Sequence, residues 1–344
     1  MVINVGNIQA ENEEIQKNMR EVARSLLVDK KVDMVIGYAR GTVPLSSSPI
    51  FIRNVEEVDN LIWDNLCYVN LARYVVPPKF KFVDGEKVYL KVGIVSRGCV
   101  ARSLIHLAKE KQVDLEKIKI IGIPCNGVVN RRRIEKELGE KEVLEILVSN
   151  EDIVVKGKDF EKTLPFQDYL NELCKTCKVK SPPMSSSLSD VIVGDSMEVS
   201  SVEDDFADLE NYESKTPDEK WGVIKELLSD CTRCYACREA CPMCYCNLCF
   251  VDQNKPIWFG KTSEMSDIIV FHLVRAMHMA GRCVGCGSCS SVCPMGIDLK
   301  LVNRKLEKIV KERFDFTAGL NLDVMPPMMT QKMEDSEDFM LGEH

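Results

Sequence analysis

The chain has 344 residues, a formal net charge of −8 and a pI near 5.3. This length allows two or three domains, and the acidic balance argues against nucleic acid as the main partner. The sequence contains no run of about 18 apolar residues, so we expect no membrane span.

The chain contains 16 cysteines, and its first residues lead directly into a charged helical pattern rather than an export signal. A high cysteine count without such a signal favours reduced thiols over disulfides. We therefore expect a cytoplasmic protein from an anaerobic setting, because thiols stay reduced there.

Helical and strand patterns alternate over residues 1–200, which predicts an α/β (α+β) N-terminal domain with a mostly parallel sheet. Residues 37–42 are predicted as a loop after the first strand, where an open sheet could bind a ligand or simply turn. A strand, a helix and a strand over residues 87–125 predict a crossover on a parallel pair. Helices are predicted at 10–28, 55–75, 100–111 and 131–138, strands at 32–38, 87–95, 118–125 and 190–195, and a hairpin at 143–155.

Four cysteines of this domain stand at strand ends or on a loop. Cys99 and Cys125 each follow a strand of the parallel pair, so we expect both at one edge of the sheet. Cys174 and Cys177 form a Cys-x2-Cys pair on a later loop. The four thiols could hold a [4Fe–4S] cluster, but the pair could equally form a zinc or redox site. Cys67 lies within a helical pattern, where a lone cysteine is usually a small core residue.

The composition changes after residue 200. Residues 201–220 are acidic and poor in large apolar side chains, which predicts a linker. We expect a helical C-terminal domain at 221–315. Residues 316–344 are predicted to be a flexible tail, or an arm that orders on a partner. The helices of the second domain are predicted at 221–228, 268–280 and 299–310.

Eight cysteines of the second domain form two copies of one motif, Cys-x2-Cys-x2-Cys-x3-Cys-Pro. In ferredoxins with this spacing, three close thiolates bind one [4Fe–4S] cluster and the fourth binds the other cluster. We therefore predict a dicluster ferredoxin-like domain with two interleaved ligand sets. They are Cys231, Cys234 and Cys237 with Cys293, and Cys283, Cys286 and Cys289 with Cys241.

Zinc is the main alternative for these thiols. It prefers two separated Cys-x2-Cys pairs and four ligands per site, and two complete copies of an eight-thiolate motif are not typical of it. A disulfide framework would require an oxidising compartment. The spacing therefore favours iron–sulfur clusters.

Three further cysteines, Cys244, Cys246 and Cys249, follow the first motif. They could supply alternative ligands or part of a fourth site, or they could shield the clusters and tune their potential through weak hydrogen bonds. His272 and His278 are six positions apart and so not on one helix face. This spacing argues against joint ligation and favours structural roles.

Several stretches resemble the beta-subunit family of deazaflavin-reducing hydrogenases and formate dehydrogenases. The resemblance extends over residues 30–315, and its second half looks like formate dehydrogenase beta subunits with an attached dicluster domain. The stretches are Asp33–Tyr38, Gly98-Cys99, Gly122–Cys125, Cys174–Cys177, Asp190–Asp195, Cys234–Cys246 and Phe271–Cys283.

In that family a cysteine-bound [4Fe–4S] cluster lies beside a flavin in an α/β domain. The resemblance therefore implies that Cys99, Cys125, Cys174 and Cys177 hold a third cluster. The resemblance is also compatible with FAD as a cofactor, although the sequence contains no recognisable glycine-rich dinucleotide loop. Cations that could meet the acidic tail of a deazaflavin, but are more often solvated, are Arg40, Lys79, Lys81, Arg97 and Arg131–Arg133.

A cluster whose four irons all carry thiolates moves one electron at a time and binds no substrate. We therefore expect an iron–sulfur electron-transfer subunit of a multi-subunit oxidoreductase, in which a flavin would convert hydride chemistry into single-electron steps. The implied partners are the catalytic subunit of a formate dehydrogenase or hydrogenase, or heterodisulfide-reductase-like subunits.

Two other functions are compatible with clusters. The clusters could be folding staples or sensors, but no DNA-binding pattern accompanies them. A catalytic disulfide reductase subunit would use Cys-Cys-Gly runs, and the sequence contains no adjacent pair of cysteines.

Overall fold

The computed structural model describes residues 5–43, 45–83, 86–139, 141–149, 152–183, 191–192 and 206–330. Within these ranges, none of the helices combines the length and apolar character needed to cross a membrane. The helices are α1 Val5–Val28, α2 Gly98–Lys109, α3 Arg131–Leu138, α4 Phe166–Tyr169, α5 Glu172–Lys175, α6 Glu210–Glu213, α7 Pro217–Leu228, α8 Ala236–Glu239, α9 Met265–His278, α10 Ser288–Ser291 and α11 Lys300–Phe314. The strands are β1 Met34–Arg40, β2 Ser47–Ile52, β3 Phe80–Val83, β4 Glu86–Tyr89, β5 Val92–Ser96, β6 Ile118–Gly122, β7 Val143–Val148, β8 Asp152–Gly157, β9 Glu161–Pro165 and β10 Val191–Ile192.

A five-stranded sheet in the order β10-β6-β5-β1-β2 forms the core of the first region. Its β1, β5, β6 and β10 strands are parallel to their neighbours, and β2 pairs with β1 in the antiparallel sense. Every residue of β5 is buried, as expected for a parallel strand with covered faces. The predicted mostly parallel α/β sheet is confirmed.

The crossover that carries Cys99 and Cys125 also forms as predicted. Strand β5, helix α2 and strand β6 follow one another, and the two strands are parallel with Ser96 opposite Gly122. Both strands therefore end at the same edge of the sheet. The chain leaves this edge at Arg97 on one strand and at Ile123 on the other.

Two predictions for the first region are wrong. Residues 55–75 form short 3₁₀ turns at Val55–Asn60 and Leu71–Val75 instead of one α-helix. The Ile62 N–H donates to Tyr38 O at 2.8 Å, so the segment is tied to β1 while its apolar side chains still face the core. Residues 37–40, predicted as a loop, continue β1 because they pair with β2 up to Arg40.

The remaining strands refine the predictions. The strand predicted at 87–95 is two strands, because β4 pairs with β3 in a separate hairpin whereas β5 joins the main sheet. The predicted hairpin at 143–155 is present as β7 and β8, and β9 extends it to three strands. Of the strand predicted at 190–195, the described part is β10, and the rest lies outside the described residues.

The second region is helical, and α7, α9 and α11 confirm the three predicted helices. Its described acidic segment is not an extended linker. Asp208 pairs with Arg304 at 2.9 Å, and Glu213 lies 2.6 Å from Lys308, so the segment packs on the basic face of α11. Of the predicted tail, Phe316 is buried, whereas residues 331–344 lie outside the described residues.

Polar contacts join the two regions around α2. Arg282, which precedes the second cysteine motif, pairs with Glu110 at 2.7 Å. Arg102 donates to Val284 O at 3.1 Å. The buried Asn70 N–H donates to Ser288 Oγ at 2.9 Å. These contacts fix the second motif beside the helix that carries Cys99.

Candidate iron–sulfur centres

The two cysteine motifs of the second region share one backbone conformation. Arg233 and Tyr235 in the first motif have φ angles of 53° and 61°, and Gly285 and Gly287 in the second have 66° and 70°. In each motif a four-residue helix, α8 or α10, follows the second of these residues and carries the third cysteine. The repeated sequence spacing therefore folds into a repeated turn.

This turn points backbone N–H groups at sulfur. The Arg233 N–H donates to Cys231 Sγ at 3.4 Å, and the Gly285 N–H donates to Cys283 Sγ at 3.5 Å. The two bonds occupy the same position in the two motifs. Hydrogen bonds of this kind stabilise a thiolate and orient a metal ligand.

The first predicted ligand set lines a single cavity. Cys231, Cys234, Cys237 and Cys293 all border it, together with apolar side chains such as Phe271. Burial raises the pKa of the Cys237 thiol to about 12, and the neighbouring thiols of Cys231 and Cys293 add to the rise. The interleaved cysteine of the second motif therefore lies with the first three.

The second predicted set is packed around Cys289. Burial raises the pKa of this thiol, and the neighbouring thiols of Cys286 and Cys241 raise it further. Burial also raises the pKa of Cys283, again with contributions from Cys286 and Cys289. Asn303 donates from Nδ2 to Cys289 Sγ at 3.6 Å. The four thiols are therefore neighbours.

The four cysteines of the first region line one cavity at the edge of the main sheet. Cys99 is in the first turn of α2, Cys125 follows β6, Cys174 is in α5, and Cys177 lies just beyond α5. A Cβ atom built on Gly98 would lie 2.2 Å from Val179 O. The loop that carries Cys177 therefore approaches so closely that only glycine fits before Cys99.

The three cysteine sets are contiguous. Cys286 of the second set also lines the cavity of Cys99, and it helps to raise the pKa of the Cys99 thiol. Cys289 of the second set likewise contributes to the raised pKa of the buried Cys237 in the first set. The second set therefore lies between the other two.

Each set offers four thiols in mostly apolar surroundings, which fits the donor chemistry of a [4Fe–4S] cluster. Among the described residues, no three His, Cys, Asp or Glu side chains form a group that could hold a single metal ion.

Sequence reasoning missed how close His272 lies to a predicted ligand. Its Nε2 atom is 3.3 Å from Cys231 Sγ, and the ring is buried. Burial lowers the pKa of His272 to about 4, and Arg275 and Arg233 lower it further, so the ring is neutral near pH 7. His278, in contrast, is exposed.

Two buried arginines also lie at the cysteine sets, of which Arg275 was missed and Arg97 was considered only as a cation for a deazaflavin tail. Arg275, one turn after His272, donates from Nη2 to Cys237 O at 3.2 Å. Arg97 lines the cavity of Cys99 and donates to Tyr38 Oη at 3.0 Å. The signal for Arg275 was a cation on the apolar face of α9, and the signal for Arg97 was its place between a buried strand and Cys99.

The four cysteines outside the three sets differ in their surroundings. Cys244 is hydrogen-bonded to Cys241, which lowers the pKa of Cys244 although burial opposes this. Cys246 is exposed and Cys249 is half-buried. Cys67 is fully buried and lies 3.5 Å from Asp64 Oδ1, in the core position that was predicted for it.

The cations considered for a deazaflavin tail are not brought together. Most have their own partners, and Lys79 lines a cavity of about 550 Å³ at the amino ends of β5 and β6 with Lys111 and Lys117. The paired cations are Arg40 with Asp64, Lys81 with Asp33, Arg131 with Glu135, Arg132 with Pro294 O, Arg133 with Glu172, and Arg97 with Tyr38.

Comparison with known proteins adds to this description. Residues 89–244 match the family of the C-terminal part of the coenzyme F420 hydrogenase/dehydrogenase beta subunit, and residues 277–297 match the "4Fe-4S binding domain". The F420-dependent formate dehydrogenase subunit beta of Methanocaldococcus jannaschii is 23% identical over 362 residues, which cover 88% of this chain and 91% of that protein. The F420-dependent formate dehydrogenase 1 subunit beta of Methanococcus maripaludis is 23% identical over 363 residues, with 88% and 90% covered.

A solved structure, the F420-reducing [NiFe] hydrogenase complex from Methanosarcina barkeri, aligns over 49% of this chain with a TM-score of 0.35 and 14% identity. The alignment spans 63% of that chain, which is less than two thirds of its length.

The fold and the cysteine sets define an iron–sulfur protein with an α/β region and a helical ferredoxin-type region. Residues 89–244 are similar to the C-terminal part of coenzyme F420 hydrogenase and dehydrogenase beta subunits. The family resemblance predicted from the sequence is confirmed.

Proposed function

We propose that this chain is the electron-transfer subunit of a multi-subunit oxidoreductase and that its three cysteine sets hold three [4Fe–4S] clusters. The observation that carries the proposal is the contiguous row of sets, in which Cys286 borders the cavity of Cys99 and Cys289 neighbours Cys237. Clusters bound in this way supply one-electron conduction between redox partners. The ligands would be Cys231, Cys234, Cys237 and Cys293 for the first set, Cys283, Cys286, Cys289 and Cys241 for the second, and Cys99, Cys125, Cys174 and Cys177 for the third.

The protein around the thiols performs three tasks in this proposal. The Arg233 and Gly285 N–H groups hold Cys231 and Cys283 in a fixed orientation. Apolar residues such as Phe271 keep water from the first cavity. The contact of Asn70 with Ser288 keeps the second and third sets adjacent. Fixed, dry and adjacent sites favour rapid electron transfer because little has to rearrange.

A flavin is the second part of the proposal. A cavity of about 390 Å³, within the usual size range of cofactor sites, opens at the carboxyl end of β1 between the main sheet and β7–β9. This is the edge at which open α/β sheets bind ligands. Asn65, which lines the cavity, donates to Gly127 O at 2.8 Å, and Gly127 lines the third cysteine cavity. A flavin there would lie beside the third set.

The residues of this cavity fit the ring of a flavin better than its phosphates. Trp63 supplies an apolar surface, and Arg40 supplies a cation that Asp64 already neutralises at 2.6 Å. Glu13 and Asp152 add negative charge. The phosphates of FAD would therefore lie outside the cavity.

The partner follows from the relatives. Both curated relatives are named as formate dehydrogenase beta subunits, and each alignment covers 88% of this chain. We therefore propose a formate dehydrogenase catalytic subunit as the first partner to test, ahead of a hydrogenase or heterodisulfide-reductase-like subunit. The reduced thiols favour an anaerobic cytoplasm.

The row of clusters can be tested by electron paramagnetic resonance of the anaerobically purified, reduced full chain. Adjacent reduced clusters should give magnetically coupled spectra, and Cys289→Ser, which removes a ligand of the middle set, should abolish the coupling. Cys67→Ala, in a buried thiol outside the three sets, should leave the spectrum unchanged. Uncoupled signals in the unaltered protein would contradict the row.

The flavin is tested in the same preparation. Flavin is released by denaturation and counted against iron. About one flavin per chain supports a role in converting hydride to single electrons. Full iron without flavin would leave the chain as a relay alone.

A further inference from the structure

Arg275 is a buried cation without a carboxylate partner among the described residues. Its side chain lies on the buried face of α9, and the residue is only 6% exposed. Its Nη2 atom donates to Cys237 O at 3.2 Å and its side chain also hydrogen-bonds to Cys244, whereas its Nε atom has no hydrogen-bond partner among the described residues. An unpaired buried charge costs several kcal/mol, so an opposite charge is needed nearby.

The groups that stabilise the charge of Arg275 are cysteines. Burial lowers the pKa of the guanidinium, but Cys241, Cys289, Cys237 and Cys244 raise it above its ordinary value. Cys237 belongs to the first cysteine set, whereas Cys241 and Cys289 belong to the second. Cys241 Sγ lies 3.7 Å from Met279 Sδ, one turn after Arg275 at the C-terminal end of α9, so the second set also borders this helix. Arg275 therefore lies between the two ferredoxin-type sets.

Two other buried arginines show what a conventional arrangement looks like in this chain. Arg304 is 2% exposed at its side chain and pairs with Asp208 at 2.9 Å. Arg233 lies 3.7 Å from Asp267 and donates to Gly260 O at 3.0 Å. Both have a carboxylate nearby, which distinguishes them from Arg275 and from Arg97, the buried arginine in the cavity of the third set.

A cluster held by four thiolates carries net negative charge, and reduction adds one more electron. A fixed cation in a dry site favours the more negative, reduced form and so raises the potential. We infer that Arg275 is the shared counter-charge of both ferredoxin-type cluster sites and sets the reduction potential of both. This inference rests on the proposed function because it requires clusters in these two sets.

The test is a redox titration of the full chain, monitored by electron paramagnetic resonance. The unaltered protein is measured first. If it contained no clusters, the proposed function would be contradicted, and not this inference. In Arg275→Gln, the equilibrium constant for reducing each ferredoxin-type cluster should fall at least about tenfold, which is about 59 mV for a one-electron couple. Arg275→Lys, which keeps the charge, should stay near the unaltered potentials.

Arg304→Gln is the matched control, because it removes a buried arginine that has its own carboxylate partner. It should lower stability and leave both potentials in place. A change of less than about threefold in Arg275→Gln, or a change at only one of the two clusters, would overturn the inference.

If Arg275→Gln fails to assemble clusters, Arg275→Lys decides the question. Full iron and unaltered potentials in the lysine variant support the counter-charge role. Loss of iron in the lysine variant as well would show that the shape of the guanidinium matters rather than its charge, and this would overturn the inference.

Discussion

The two ferredoxin-type motifs and the third cysteine set both provide four thiols for a cluster, but the chain brings these thiols together in different ways. Each motif holds its first three cysteines on a short turn whose left-handed residues, such as Gly285, are set by the local sequence. The third set gathers Cys99, Cys125 and Cys174 from separate elements of the α/β region. A motif site therefore depends on backbone conformation, whereas the third site depends on the packing of the whole first region.

The largest effect is expected when a ligand of the third site is removed. Cys125→Ser should remove the third cluster and lower the iron content by about four per chain, while the two motif clusters remain. Cys67→Ala removes a fully buried thiol that lies outside the three sets, so iron should stay constant. Iron and acid-labile sulfide are measured on anaerobically purified protein. Equal iron content in Cys125→Ser and Cys67→Ala would contradict the assignment of a cluster to the third set.

A second prediction concerns packing without touching a ligand. Gly98→Ala should lower occupancy of the third site by at least half, because the new Cβ would lie 2.2 Å from Val179 O and displace the loop of Cys177. Gly222→Ala is the control, since a Cβ added there would have no atom within 4 Å and alanine favours a helix by about 1 kcal/mol. Full iron in Gly98→Ala would show that the third site tolerates movement.

The third prediction concerns the junction between the regions. Burial alone would raise the pKa of Glu110, but hydrogen bonds with His106, Arg282 and Tyr245 lower it to about 2. Glu110→Gln leaves the partly buried Arg282 without its carboxylate partner and should lower the free energy of unfolding by about 3 kcal/mol near pH 7. Anaerobic denaturant unfolding measures the loss.

The pH dependence of this loss has a definite sign. The folded pKa lies below the unfolded value of 4.5, so the stabilisation by Glu110 is complete above about pH 5 and is lost as the pH falls toward 2. The stabilities of the unaltered protein and Glu110→Gln should therefore converge in acid. Glu135→Gln, in a half-exposed pair with Arg131, should cost less than about 1 kcal/mol at any pH. If the free energies of unfolding of the unaltered protein and Glu110→Gln differed by the same amount down to pH 2, the pairing of Glu110 with Arg282 would be contradicted.

The smallest expected effect lies next to the first motif. Thr216 and Glu219 form a capping box at the start of α7, the helix that leads to Cys231. Thr216→Ala should lower the free energy of unfolding by about 1 kcal/mol and leave the iron content unchanged, because the motif turn is locally determined. Loss of iron in this variant would show that the motif needs its flanking helix.

The same contrast explains what the sequence could predict. The motif cysteines were found from spacing alone, and the edge that Cys99 and Cys125 share followed from the strand–helix–strand order. The helix predicted at 55–75 was wrong because apolar periodicity reports burial, and the hydrogen bond from Ile62 to Tyr38 ties that segment to a strand instead.

The missed site residues share a physical reason. His272 was predicted to be structural and Arg275 was given no role, because their partners, Cys231 and Cys237, are far away in sequence. The acidic residues before α7 were predicted to form a linker from composition, although Asp208 pairs with Arg304 about a hundred positions later. Such long-range pairings depend on the fold, so the local sequence pattern does not predict them.

The most direct test of the central claim is the metal content of the anaerobically purified full chain, measured together with that of Cys125→Ser. The contiguous row of three cysteine sets predicts about twelve irons per chain, about eight in the variant and no zinc in either. Stoichiometric zinc, or about eight irons in both proteins, would contradict it.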